Sequence, residues 1–153
     1  MVNTSKYAQY TPESSSPMQE KFINYIMLDG KKSIARRILS DSFKTISKKT
    51  SNDPTKVFNE AISNVKPSLE VKAKRIGGAV YQIPIEVKPK RQLALSFRWI
   101  LAAARGKKGT NMANKLANEL IDASQEQGIA IKKKEDTHRM AQANKAFAHL
   151  ARY

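Results

Sequence analysis

The sequence contains no cysteine, few aromatic residues and few acidic ones. Among its 153 residues, aromatic residues make up 7%, and 13 Asp and Glu stand against 28 Lys and Arg. Without cysteine the chain has no disulfide, no thiolate nucleophile and no cysteine-based zinc site. No apolar run approaches the roughly 18 residues of a membrane-spanning helix, so we expect no segment of the chain to cross a membrane.

Motifs for catalysis or cofactor binding are also missing. The two histidines, His138 and His149, fall on one predicted helix, and neither cysteines nor clustered carboxylates complete a metal site around them. The segment "RGKKGT" lacks the G-x-x-x-x-G-K-[ST] order of a phosphate-binding loop, and no serine lies in a G-x-S-x-G elbow. We therefore expect no enzymatic activity, no metal and no cofactor.

Positive charge is abundant and unevenly distributed. The formal net charge is +15, yet residues 1–30 contain two basic and three acidic side chains. Residues 66–115 contain 12 basic side chains against Glu70 and Glu86. Because such an excess repels itself in a compact chain, we expect a polyanionic partner, with a membrane surface as the less specific alternative.

The apolar periodicity indicates a mainly α protein: a six-helix domain with an inserted, protruding basic β-hairpin. Ser, Thr, Asn, Gln and Pro without periodicity predict a flexible N-terminal arm over residues 1–16, followed by one helical domain over 17–153. The predicted elements are a first helix from Pro17 to about Gly30, a second over about 32–48, a third over about 54–65, a hairpin at about 71–88, a fourth helix containing Leu93–Ala104, a fifth from Met112 to near Gly128, and a sixth from about Lys132 to the end. The predicted apolar faces of the second, third and fourth helices are, in that order, Ile34, Ile38, Leu39, Ser42 and Ile46; Val57, Phe58, Ala61, Ile62 and Val65; and Leu93, Phe97, Ile100, Leu101 and Ala104.

The hairpin prediction rests on alternation and on two adjacent glycines. Gly77 and Gly78 provide the positive φ values of a two-residue turn, which places Lys74 opposite Tyr81. Prolines in the second strand predict an edge ribbon, and a lone two-stranded ribbon is marginal in water. We expect the hairpin to lean on helices at its base and to meet its ligand with its tip.

Three separate basic elements point to a nucleic acid. They are "GKKS" between the first two helices, the hairpin, and the loop "ARGKKG" after the fourth helix. Phosphate contacts by such elements give affinity without reading sequence. Scattered basic loops favour structured RNA. A histone-like architectural DNA-binding protein with a basic β-arm is the alternative.

Several blocks of the sequence resemble the ribosomal small-subunit protein S-seven family. The blocks are "FINYIMLDGKKSIARRI", "KAKRIGGAVYQIPIEV", "LALSFRWILAAAR", "NMANKLANELIDA" and "KKKEDTHRMAQANKAFAH", which together span about Glu20 to His149. The resemblance implies a structural protein that binds the 3′ major domain of small-subunit rRNA and nucleates assembly of the head. It also implies a position near the mRNA exit channel and exit-site tRNA, beside the platform protein S-eleven and neighbouring head proteins.

The same resemblance implies which residues contact RNA. The expected rRNA-binding residues are Lys31, Lys32, Arg36, Lys72, Lys74, Arg75, Gly77, Gly78, Arg91, Arg98, Arg105, Lys107, Lys108 and Lys115. The hairpin residues expected at the tRNA and mRNA path are Lys74, Arg75, Tyr81 and Gln82.

Two features distinguish this chain from the usual pattern of that family. Members usually have a basic N-terminal arm, whereas residues 1–19 contain only Lys6 as a basic side chain. Segments such as "GTNMANKL" resemble the corresponding segments of plastid members, and the preference for Lys over Arg suits an AT-rich organellar genome. We therefore expect a plastid (chloroplast) ribosome, with the bacterial cytoplasm as the alternative.

Overall fold

A computed structural model describes residue 12 and residues 15–152. It confirms a mainly α fold with six α-helices and one two-stranded hairpin in this part of the chain. The elements are α1 (Pro17–Ile26), α2 (Lys32–Thr50), α3 (Pro54–Val65), β1 (Leu69–Ile76), β2 (Ala79–Glu86), α4 (Pro89–Gly106), α5 (Met112–Ser124), α6 (Ile129–Ala143) and a C-terminal 3-10 helix (Lys145–Arg152). Most of the predicted arm of residues 1–16 lies outside the described residues.

Local sequence signals fix the helix starts. Ser16 caps α1 by accepting from the Gln19 N–H, and the Gln19 side chain accepts from the Ser16 N–H. Asp53 caps α3 in the same manner through the Thr55 N–H. The predicted end of α1 near Gly30 is wrong, because the helix already stops at Ile26. Gly30, with φ +70°, belongs to the turn that leads into α2.

The core is a single apolar cluster to which all six α-helices contribute. Phe22 of α1 meets Phe58 and Phe97 edge-on, with ring centroids 5.3 and 5.0 Å apart. α5 packs against α2, α3, α4 and α6 and buries Leu116 and Leu120 completely. The predicted apolar faces of α3 and α4 are thereby confirmed, apart from Leu93, which is half-buried against the cluster.

The apolar face of α2 differs from the prediction at its start. Its buried row is Ala35, Leu39, Ser42 and Ile46, at spacings of four, three and four residues. Ile34 was predicted to belong to this row but is 50% exposed. One residue is about 100° of helix rotation, so Ile34 faces away from the row that begins at Ala35.

The hairpin has the predicted register. Lys74 pairs with Tyr81, and Lys72 pairs with Ile83, across an antiparallel ladder. Gly77 and Gly78 have φ values of +56° and +88°, as a two-residue turn requires. Ile83 is buried in the sheet, where the base of the hairpin packs against α6 and the 3-10 helix.

The C-terminal end of the fold contradicts the predicted sixth helix. α6 stops at Ala143, where the side-chain amide of the next residue, Asn144, donates to the Met140 carbonyl at 2.8 Å. His138 and His149 therefore lie on different elements. None of the helices in the described range is long and apolar enough to cross a membrane.

Candidate nucleic-acid interface

Three arginines form a row along one face of α4. Arg91, Arg98 and Arg105 are seven residues apart, and all three are exposed. Seven residues make almost two full helical turns, so successive members differ by only about 20° around the axis. A rise of 1.5 Å per residue places the outer two about 21 Å apart along the helix. The row presents positive charge along most of the length of α4.

Each end of this row meets another basic element. Arg91 contacts Glu70 of β1 at 3.3 Å, which places it at the base of the hairpin. Arg105 donates a hydrogen bond of 3.1 Å to the Ile26 carbonyl at the end of α1, close to the turn that leads to Lys31. A cation at a helix C-terminus is favourable because the terminal carbonyls are partially negative. α4 therefore connects the hairpin to the basic α1–α2 turn.

The two faces of the hairpin differ. Lys72 and Lys74 share a face with Ile83 and border a shallow cavity that the 3-10 helix closes at Ala151. On the opposite face Arg75 and Gln82 are exposed, and the glycine turn is exposed as well. Arg75 and the tip are thus open to a large ligand, whereas the lysine face is partly covered.

Tyr81 lies on the covered face. Its side chain is half-buried, and its ring packs against Phe147 of the 3-10 helix. The sequence grouped Tyr81 with Gln82 at the tRNA and mRNA path. The structure separates them, because adjacent residues of a strand point to opposite faces.

Part of the basic surface on α2 is held by one carboxylate. Glu20 of α1 is almost buried and lies 2.7 Å from Arg36 and 3.7 Å from Lys32. Lys31 lies 3.9 Å from Asp29, with both side chains largely exposed. A close, partly buried pair fixes the guanidinium, while the exposed lysine remains able to exchange its partner for a phosphate.

The Lys107 ammonium is engaged inside the protein. It lies 2.7 Å from Glu119 and 3.1 Å from Asp122 on α5. Burial opposes its charge, but the hydrogen bonds and charges of the two carboxylates raise the pKa of Lys107. Glu119 is fully buried and also accepts from the Ala130 N–H at the start of α6 at 2.9 Å. Lys107 thus ties the loop after α4 to α5, and through Glu119 to α6.

The adjacent Lys108 is exposed and has a different environment. Within residues 15–151, seven of the cations predicted to bind rRNA have no carboxylate within ion-pair distance: Lys72, Lys74, Arg75, Arg98, Arg105, Lys108 and Lys115. Charge counts indicated the basic elements, and the family resemblance implied these individual cations. The spacing of seven along α4 was a readable signal for the arginine row, whereas the involvement of Lys107 with two carboxylates 12 and 15 residues later was not.

Metal chemistry has no site in the described residues, because no group of three His, Asp or Glu side chains there could hold an ion. What the arrangement offers is cations on three elements joined by one arginine row. Such a surface fits a polyanion that is wider than a single phosphate.

Comparison with known proteins gives matches over most of the chain. A family model described as Ribosomal protein S7p/S5e matches residues 1–145. The protein "Small ribosomal subunit protein uS7" of Moorella thermoacetica is 57% identical over 129 residues, covering 84% of this chain and 83% of that protein. Proteins with the same name from Clostridium botulinum and Nitratidesulfovibrio vulgaris are 54% and 53% identical over 138 residues, each covering 90% of this chain and 88% of the relative.

Proposed function

The chain belongs to the ribosomal protein S7p/S5e family and is a structural protein of the small ribosomal subunit, not an enzyme; we propose that it binds the 3′ major domain of the rRNA and nucleates assembly of the head. Residues 17–153 act in this proposal as one rRNA-binding domain. The hairpin reaches toward the mRNA exit channel and exit-site tRNA, and protein S-eleven of the platform lies beside it.

The arginine row of α4 is the observation that carries the proposal. A straight row of about 21 Å extends across several phosphates of a folded RNA, and its two ends meet further basic elements. A lone charged helix face is usually just solvated, but this row continues into the hairpin at one end and into the α1–α2 turn at the other. Phosphates at several points of an irregular RNA surface match that layout.

The start of α2 adds a place for one phosphate. Lys31 stands at the cap position but makes no side-chain capping bond, and no acidic residue lies in the first turn. The Lys32 N–H donates to the Gly30 carbonyl at 2.8 Å, which leaves the N–H groups of Ser33 and Ile34 to meet an anion, next to two lysine side chains.

Binding to a head-domain rRNA fragment tests the proposal. Arg98→Gln should lower the affinity at physiological salt, and it should reduce the slope of log K against log salt by about 0.7–0.9, the effect of one phosphate contact. The matched control is Arg139→Gln, since Arg139 of α6 is also exposed but stands outside the row. The control should leave both affinity and slope unchanged.

Equal binding of the wild-type protein to random duplex DNA at physiological salt would contradict the proposal and support the architectural alternative. Equal effects of the two arginine substitutions would also contradict it, because the row would then have no special role.

A shortened hairpin tests the role of the tip. Deleting residues 73–82 and joining Lys72 to Ile83 by a short Gly-Ser link preserves the buried base of the ribbon. We expect helical circular dichroism and rRNA binding to be largely retained, and exit-site tRNA to be held less well by ribosomes that contain the variant. Loss of rRNA binding would assign the tip to the primary RNA contact.

The cellular compartment of the ribosome that contains this protein is a separate question. The relatives named above are bacterial, which fits the bacterial alternative. Localisation to plastid ribosomes stays a prediction from the wording of the sequence, tested by cell fractionation with an antibody to this chain.

A further inference from the structure

Two large apolar side chains are exposed side by side where α1 meets α2. Leu28 is 63% exposed and Ile34 is 50% exposed. Both line a groove of about 220 Å³, whose walls also include Met27 and Ile38. Folding offers no reason to leave them in water, so a contiguous exposed apolar patch of this kind indicates a binding surface.

Two cations and one carboxylate stand around the groove. Lys31 lines it directly, and Arg105 reaches its wall through the hydrogen bond to the Ile26 carbonyl. Asp29 also lines the groove, but its carboxylate lies 3.9 Å from the Lys31 ammonium. The uncapped start of α2 opens onto the same end of the groove. An apolar floor thus stands beside cations and free N–H groups.

We propose that an unpaired base of the bound RNA lies against Leu28 and Ile34, with its phosphates at Lys31 and the start of α2. This inference rests on the proposed function and adds a base subsite to the phosphate contacts there. A nucleotide that is not base-paired combines an apolar ring face and an anionic phosphate within one residue, which is the combination the groove offers. Side chains such as Leu and Ile are also used elsewhere to contact exposed base faces.

A partner protein is the less favoured occupant. To match this rim, a polypeptide would need an apolar side chain flanked by acidic ones, and it would compete for the lysines with the RNA. The RNA satisfies both requirements with a single chemical unit.

The test replaces the apolar side chains and leaves every cation in place. In the double variant Leu28→Ser and Ile34→Ser, affinity for the rRNA fragment should fall on the order of tenfold, because the base face loses its apolar contact with two side chains. The salt slope should remain that of the wild type, since no phosphate contact is removed. The melting temperature should change little, because both side chains are exposed. Met140→Ser is the matched control, as Met140 is 48% exposed on α6, and it should bind like the wild type.

The outcomes separate this inference from the proposed function. If the double variant binds like the control while Arg98→Gln still weakens binding, the base subsite is overturned and the phosphate surface stands. A loss of affinity together with a flatter salt slope would also overturn it, because the change would then act through charge. Normal RNA affinity combined with failure to enter small subunits would replace the base with an apolar segment of a protein partner.

Discussion

The ring of Tyr81 in β2 packs against the ring of Phe147 in the 3-10 helix, with centroids 5.3 Å apart and planes inclined by 58°. This contact joins the end of the chain to the hairpin far from the helical core. Ile83, two residues along the same strand, is buried at the same interface. The 3-10 helix therefore supports the hairpin on one face, and Tyr81 helps to position the arm.

Removing the aromatic partner should loosen the arm. We expect Phe147→Ala to increase amide hydrogen exchange in β2, because an aromatic pair contributes about 0.5–1.5 kcal/mol beyond its buried area. Exchange in α3 and α5 should be unchanged, since neither ring belongs to the core cluster. His149→Ala, on the exposed side of the same 3-10 helix, is the control. Unchanged exchange in β2 would show that the hairpin needs no support from the C-terminal segment.

Neighbouring lysines in the loop after α4 should have opposite phenotypes. Lys107→Ala removes the partner of a buried carboxylate and should lower the free energy of unfolding by about 3–5 kcal/mol. Lys108→Ala should leave stability within about 0.5 kcal/mol and instead weaken rRNA binding. Denaturant unfolding and filter binding of both variants check this assignment. The reverse pattern would mean that the ammonium of Lys107 faces RNA in the complex.

Phe97 should be among the most costly core positions. It is completely buried and meets Phe22 and Tyr25 edge-on at 5.0 and 5.4 Å. We expect Phe97→Ala to cost about 3–5 kcal/mol in urea unfolding, whereas Arg98→Ala beside it should change stability little. A cost below 1 kcal/mol would contradict the central place of this ring.

His138 should make the hairpin base sensitive to acid. Its Nε2 accepts a hydrogen bond of 3.1 Å from the Ser68 N–H, which only a neutral ring nitrogen can do. Partial burial, and next the charge of Lys134, lower the pKa of His138. The unfolded chain therefore binds the proton more readily, so this contribution is complete above the usual pKa of about 6.5 and is lost as the pH falls through the lowered value.

The corresponding measurement is unfolding of His138→Gln and wild type at pH 7.5 and pH 5.5. The variant should lose less stability on acidification than the wild type, by up to about 1 kcal/mol, the value of one hydrogen bond. His149→Gln should behave as the wild type, since the hydrogen bond of the His149 ring within the described residues goes to the nearby Ala146 carbonyl and not to the hairpin. Identical pH dependence of stability in all three proteins would show that the hydrogen bond of His138 does not stabilise the hairpin base.

Periodicity and turn chemistry were enough to predict the elements but not their ends. The hairpin register followed from Gly77 and Gly78 alone, because a two-residue turn leaves one pairing. α1 and α6 were predicted too long, because apolar residues beyond their ends, such as Leu28 and Phe147, continue the helical periodicity of the apolar positions. Nothing in the local pattern shows that the turn at Asp29 and the amide of Asn144 stop them.

At the candidate surface, too, local sequence features were predictable and contacts made by helix packing were not. Charge counts identified the basic elements, and they stand where a large anion could reach them. The engagement of Arg36 by Glu20 and of Lys107 by Glu119 depends on helix packing. Contacts between distant parts of the chain leave no periodic trace in the sequence, so single-sequence reasoning gave every cation the same role.

The central place of α5 has a consequence for the order of events during synthesis. α5 is the helix on which α2, α3 and α4 converge, and it is the fifth of six to be made. At about 5–20 residues per second, the earlier helices wait several seconds with their apolar sides lacking that partner. The nascent chain then exposes apolar surface and carries a large positive charge. Binding of RNA in that interval would neutralise the positive charge and keep the chain from aggregating. The RNA would then act as a chaperone for the protein that binds it.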